Sequence, residues 1–151
     1  MPPNLAPLPL QPTLNPGDGA TNDVCLSEKL SIKLYRYTRG TVVVLRSPSE
    51  PHRLLVKRLI GLEGDWVCPE PGTSKVELVP QGCCWVEGDN AGCSEDSRTA
   101  FGAVPLALLE GRLTRVLWPP SRWGAVAAPF PSGRILALGD APDDGGFSHH
   151  W

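Results

Sequence analysis

A chain of 151 residues supplies one domain with a proper core and too little material for two. Its 14 basic and 16 acidic side chains give a net charge of −2 with no basic block, which argues against nucleic acid as a partner. Proline (17) and glycine (16) together exceed a fifth of the chain, which excludes a helical bundle and favours short strands joined by many turns.

The first ten residues, MPPNLAPLPL, have neither the basic start and apolar run of a signal peptide nor an Arg-rich amphipathic pattern. Residues 1–20 are rich in Pro, Gly and Asn and read as extended or, at the start, poorly ordered. Residues 23–37 read as a strand followed by a turn. Residues 41–46 (TVVVLR) are β-branched and short, a strand by composition. No apolar stretch approaches the roughly 20 residues that a membrane-spanning helix needs. Two prolines make a loop of 47–52, and 53–62 (RLLVKRLIGL) form the next strand. A turn at Glu63-Gly64-Asp65 leads to extended Trp66-Val67, and short strands follow at 75–79 and 83–87. Residues 88–98 are a polar loop, 104–109 a helical turn or strand, and 112–117 a last strand before Trp118-Pro119-Pro120. From Gly124 to Trp151 the Ala/Pro/Gly-rich chain reads as a peripheral tail whose composition also fits disorder. The expectation is one mainly β, antiparallel domain.

Cys25, Cys68, Cys83, Cys84 and Cys93 include no CxxC pair, and His52 stands apart from the two histidines of the tail. Neither a zinc site nor a disulfide framework follows, so the cysteines read as buried or half-buried thiols. No metal or cofactor is implied.

Two segments hold side chains suited to chemistry. In a strand over 53–62, Leu55, Lys57 and Leu59 share one face, and Val56, Arg58 and Ile60 the other. Burial among leucines lowers a lysine pKa, and a neutral amine near pH 7 is a general base for a hydroxyl nucleophile. On its own, the same pattern also fits an edge lysine pointing to solvent. In the 88–98 loop, Asp96 and Arg98 could pair and Ser94 could meet an amine; an ordinary surface loop fits equally well.

Three segments in order tip this balance: RGTVV at 39–43, KRLIGLEGD at 57–65 and GDNAGCSEDSR at 88–98. The series resembles the successive boxes of type I signal peptidases, RGDIV, KRVIGLxGD and GDNxxxSxDSR. The flanks QPTLNP at 11–16 and VLWPPSRW at 116–123 resemble the mitochondrial inner membrane protease branch, and its second subunit type more than its first. The resemblance covers about residues 11–123 and implies a signal peptidase-type β domain. It also implies a serine endopeptidase with a Ser/Lys dyad that removes sorting peptides from precursor proteins. By motif, Lys57 would be the base, Ser94 would orient its amine, and Asp96 and Arg98 would brace the loop. Expected partners are precursor proteins, a sister subunit and the inner membrane, with the site facing the intermembrane space.

One position departs from the pattern. The nucleophile belongs in Ser-Met directly before Gln11, where this chain has Pro9 and Leu10. Proline offers neither a hydroxyl nor a backbone N–H. Thr13 stands four residues on, and an extended chain would carry it roughly 13 Å away, too far to serve the same lysine. The abrupt start of the match at Gln11 favours a longer or alternative N-terminus that supplies serine and anchor. A catalytically inactive subunit is the other reading. A self-cleaving repressor domain ranks last, because no helix-turn-helix pattern is present.

Overall fold

The computed structural model describes residues 10–16, 22–92 and 94–136. Within them the chain forms β1 (Val24–Glu28), α1 (Leu30–Lys33), β2 (Val42–Arg46), β3 (Leu54–Gly61), β4 (Trp66–Val67) and β5 (Glu77–Leu78). It continues through β6 (Cys83–Glu87), β7 (Val104–Pro105), β8 (Leu109–Trp118), β9 (Gly124–Ala125) and β10 (Ile135–Leu136). The main sheet runs β1-β8-β2-β3-β6-β7, with β9 also on β8, and a small sheet runs β10-β4-β5. Every pairing is antiparallel, as the turn-rich composition leads one to expect.

The center of the main sheet is β3, held by β2 on one side and β6 on the other. Its alternation sorts side chains between separate cores. Leu55 and Leu59 join Val43, Leu45, Cys84, Val86, Val104 and Leu109 in one cluster, while Val56 packs with Leu10, Leu14, Val42 and Val116 in another. A third cluster of Ile60, Val67, Val79 and Trp85 joins the small sheet to the large one. The turn after β3 closes on itself: Leu62 N–H donates to the Asp65 carboxylate and Asp65 N–H to the Leu62 carbonyl, with Gly64 at φ +83° between them.

Several boundaries differ from the sequence reading. The strand expected at 75–79 is only Glu77–Leu78. The last long strand spans Leu109–Trp118 because it pairs with β1 along one edge and with both β2 and β9 along the other. Residues 104–109 divide between strand and helical turn, and the 88–98 loop ends in a π-helical turn, Ser97–Phe101. Asp96 caps that turn, accepting from Arg98 N–H, while Thr99 Oγ1 accepts from Asp96 N–H.

Two larger corrections concern the ends. Residues 10–14 are not extended: Leu14 N–H donates to the Leu10 carbonyl at 2.9 Å, a helical turn that buries both leucines. The spacing argument made for Thr13 from an extended chain therefore does not hold. At the other end, the stretch read as a peripheral tail belongs to the fold as far as Leu136. It adds β9 to the large sheet and β10 to the small one, and Arg134 is buried. Short strands and one arginine leave no apolar period to detect, so composition alone misreads them. Residues 137–151, Pro9 and Cys93 lie outside the described residues. Among the described residues, no helix is long and apolar enough to cross a membrane.

Candidate active site

Lys57 occupies the middle of β3, opposite Val43 on β2, and only 1% of its surface is exposed. Apolar neighbours Leu55 and Leu59 flank it along its own face. Its amine donates to Ser94 Oγ at 2.8 Å, in the loop that follows β6. Burial pulls the Lys57 pKa below the ordinary lysine value. The negative charges of Asp96 and Glu95 oppose that shift, and Arg53 and Arg98 reinforce it.

Asp96 organises the loop from inside. Fully buried, it accepts from Gly88 N–H at 2.9 Å, from Arg98 N–H at 2.9 Å and from Arg98 Nη2 at 2.5 Å. Burial alone would raise its pKa; the Arg98 guanidinium, Gly88 N–H and Ser94 together outweigh that and hold it below the usual carboxylate range. Arg98 also donates to the Gly88 carbonyl at 2.9 Å. Thr99 Oγ1 donates to the Ser94 carbonyl within the loop, and Ser97 Oγ accepts from Val86 N–H, which ties the loop to β6. The charge-assisted bonds of the Asp96 carboxylate are about twice as strong as neutral ones and fix its geometry. The structure thus brings Lys57, Ser94, Asp96 and Arg98 together.

A second polar knot lies across β3, on the face of Arg58. This arginine is 3% exposed and uses every donor it has. Its Nε and Nη2 grip Asp89 at 2.8 Å each, its Nη1 reaches the carbonyls of Gly40 and Ala127 at 2.7 and 3.0 Å, and its Nη2 also reaches Thr13 Oγ1 at 3.0 Å. Thr13 in turn donates to Asp89 at 2.5 Å. Thr13 therefore serves the Arg58–Asp89 pair, on the opposite side of the strand from Lys57. Arg122 completes the anchorage of Thr13 and joins it to Asp23, donating to the Thr13 carbonyl at 2.9 Å and to the Asp23 carboxylate at 2.6 Å.

Sequence reasoning passes over Arg58, Asp89, Glu87 and Arg134. Arg58 and Asp89 stand inside the motif boxes, so the boxes themselves were the available signal; Arg134 stands in no motif. A cavity of about 230 Å³ opens beside Lys57, lined by Leu10, Leu14, Asn15 and residues 53–56. The cysteines follow expectation where they are described: Cys68 and Cys84 are buried thiols, and burial pushes Cys84 up to about 12.

The sequence profile of the family described as "Signal peptidase, peptidase S26" matches residues 10–76 and 69–118. The chain is 40% identical over 125 residues to the mitochondrial inner membrane protease subunit 2 of Danio rerio, across 83% of this chain and 68% of that protein. It is 43% identical over 120 residues to the mitochondrial ATP-independent inner membrane protease subunit 1a of Arabidopsis thaliana, across 76% of this chain and 68% of that one. A signal peptidase I structure from Enterococcus faecalis superposes with a TM-score of 0.44 at 27% identity, covering 52% of this chain and 97% of that one.

Proposed function

The chain belongs to the S26 signal peptidase family, within its mitochondrial inner membrane protease branch, and on that premise we propose that Lys57 is the general base of a Ser/Lys endopeptidase site. The observation that carries this reading is a buried lysine whose amine donates to the Ser94 hydroxyl, 2.8 Å away. Burial shifts the Lys57 pKa downward, the direction that favours a general base, and the bond to Ser94 orients the amine. In the reaction, the amine lone pair takes the proton of a serine hydroxyl as its oxygen attacks the scissile carbonyl. The resulting ammonium then returns the proton to the departing amine. Asp96 and Arg98 hold Ser94 in place, and Arg58 with Asp89 holds the segment that begins at Leu10.

The attacking serine belongs where this sequence has Pro9. The substrates are precursors with small residues before the cleaved bond, delivered to the intermembrane-space side of the inner membrane, and the enzyme works beside a sister subunit. The test restores the nucleophile with Pro9→Ser and Leu10→Met in a membrane-anchored form and follows precursor processing. Adding Lys57→Ala is expected to reduce processing by at least a thousandfold, since the dyad acts as a unit. Processing that survives Lys57→Ala unchanged rules out the assigned base.

Pro9 favours a second reading, in which the chain stabilises a partner peptidase without cleaving anything itself. Cleavage of a precursor peptide by purified 1–151 would sink that reading.

A further inference from the structure

Behind the Ser94 loop lies a buried ion pair that no motif announces. Glu87, the last residue of β6, is 3% exposed, and Arg134, just before β10, is 6% exposed. Arg134 Nη2 donates to Glu87 Oε1, which also accepts from Trp85 Nε1 at 2.8 Å. The other Glu87 oxygen lies 3.7 Å from Arg98 Nε. Arg98 is the residue whose guanidinium holds Asp96 and the Gly88 carbonyl. Arg134 is itself pinned by bonds to the carbonyls of Cys68 at 2.8 Å and Pro69 at 3.2 Å.

We propose that Arg134 is a positioning residue for the Lys57–Ser94 pair, acting through Glu87 and Arg98. Two buried carboxylates, Glu87 and Asp96, compete for the one guanidinium of Arg98. Arg134 neutralises Glu87 at its far oxygen, which leaves Arg98 committed to Asp96. Removal of Arg134 leaves Glu87 buried with Arg98 as its nearest cation, a costly arrangement that relaxes by drawing Arg98 away from Asp96. Asp96 then loses its strongest partner. Its hold on Gly88 N–H and on the turn after Ser94 loosens, and its charge falls more fully on Lys57. Arg134 thus controls the lysine from the opposite end of a four-residue chain of charges, in a part of the sequence without motif support.

This inference rests on Lys57 as the functional base, and its test is independent of cleavage. The chain 1–151 is prepared with carbon-13 at the lysine ε position, and the Lys57 amine is titrated by NMR, assigned with Lys57→Met. Arg134→Met is expected to raise the Lys57 midpoint by roughly half a pH unit or more, as for a change in neighbouring charge. Arg134→Lys, which keeps the charge, restores most of the original midpoint. Glu87→Gln with Arg134→Met, which removes the competition, returns it to the wild-type value. If Arg134→Met does not fold, Arg134→Gln, which also removes the charge but keeps a polar side chain, decides: the midpoint rises. A folded Arg134→Met chain with an unmoved midpoint overturns the proposal, as does an unmoved midpoint in Arg134→Gln. Loss of processing in the serine-restored form with Lys57 titration intact leaves this inference standing and counts against the peptidase reading instead.

Discussion

At the scale of single residues, Lys57 sets an opposition between stability and chemistry. A buried amine with a lowered pKa binds fewer protons in the folded chain than in the unfolded one. Stability from this group is therefore lowest below its depressed pKa and rises with pH up to the ordinary lysine value near 10.4. Lys57→Met keeps the volume and removes the charge. It is expected to stabilise the chain at neutral pH by about 1 kcal/mol and to flatten that rise, both read from urea unfolding across the pH range. A melting profile unchanged between the two proteins would show that the amine carries no desolvation penalty. The lysine was legible in sequence because it stands in the KRLIGLEGD box at 57–65; its two flanking leucines alone fitted an edge lysine equally well. Its meeting with Ser94, 37 residues on, was expected from the motif boxes alone, since no periodicity of the chain tells where that loop lands.

Among elements, the strands that read well were those with strong alternation or β-branched runs, β2, β3 and β6. The sequence reading left β9 and β10 out because two residues each have no period, and their existence depends on the strands they join. The same dependence on neighbours explains Gly111 in β8, where β1 crosses so closely that a Cβ would lie 2.5 Å from Ser27 Oγ and 3.2 Å from the Glu28 carbonyl. Gly111→Val is expected to cost on the order of 2 kcal/mol and to raise hydrogen exchange along β1 while β3 and β6 stay protected. Uniform loss of protection across all three strands would contradict a local role for the glycine. Gly61 plays a similar part inside β3, its hydrogen facing Val67 at the joint between the two sheets.

Over the whole molecule, the fold class followed from turn-rich composition, but the outer limit of the domain did not. Residues 127–134 cross behind the site, giving Arg58 the Ala127 carbonyl and Glu87 its arginine. Neither contact has a compositional signature: one uses a backbone atom, and the other a lone charge between Gly133 and Ile135. A chain ending at Val126 loses both and leaves Glu87 buried without its partner. It is expected to unfold at lower urea, with a loss of roughly 3 kcal/mol or more. Stability equal to that of the full chain would mean that the crossing segment merely rests on the surface.

The anchorage of Thr13 has a consequence for engineering. Arg58, Asp89 and Arg122 fix Thr13 through side chains that lie wholly downstream, and Leu10 fills an apolar socket with Leu14 and Val42. Leu10 is thus held in a set berth by residues downstream of it. A volume-conserving Leu10→Met keeps that berth filled, so the frame tolerates the residue beside the restored serine.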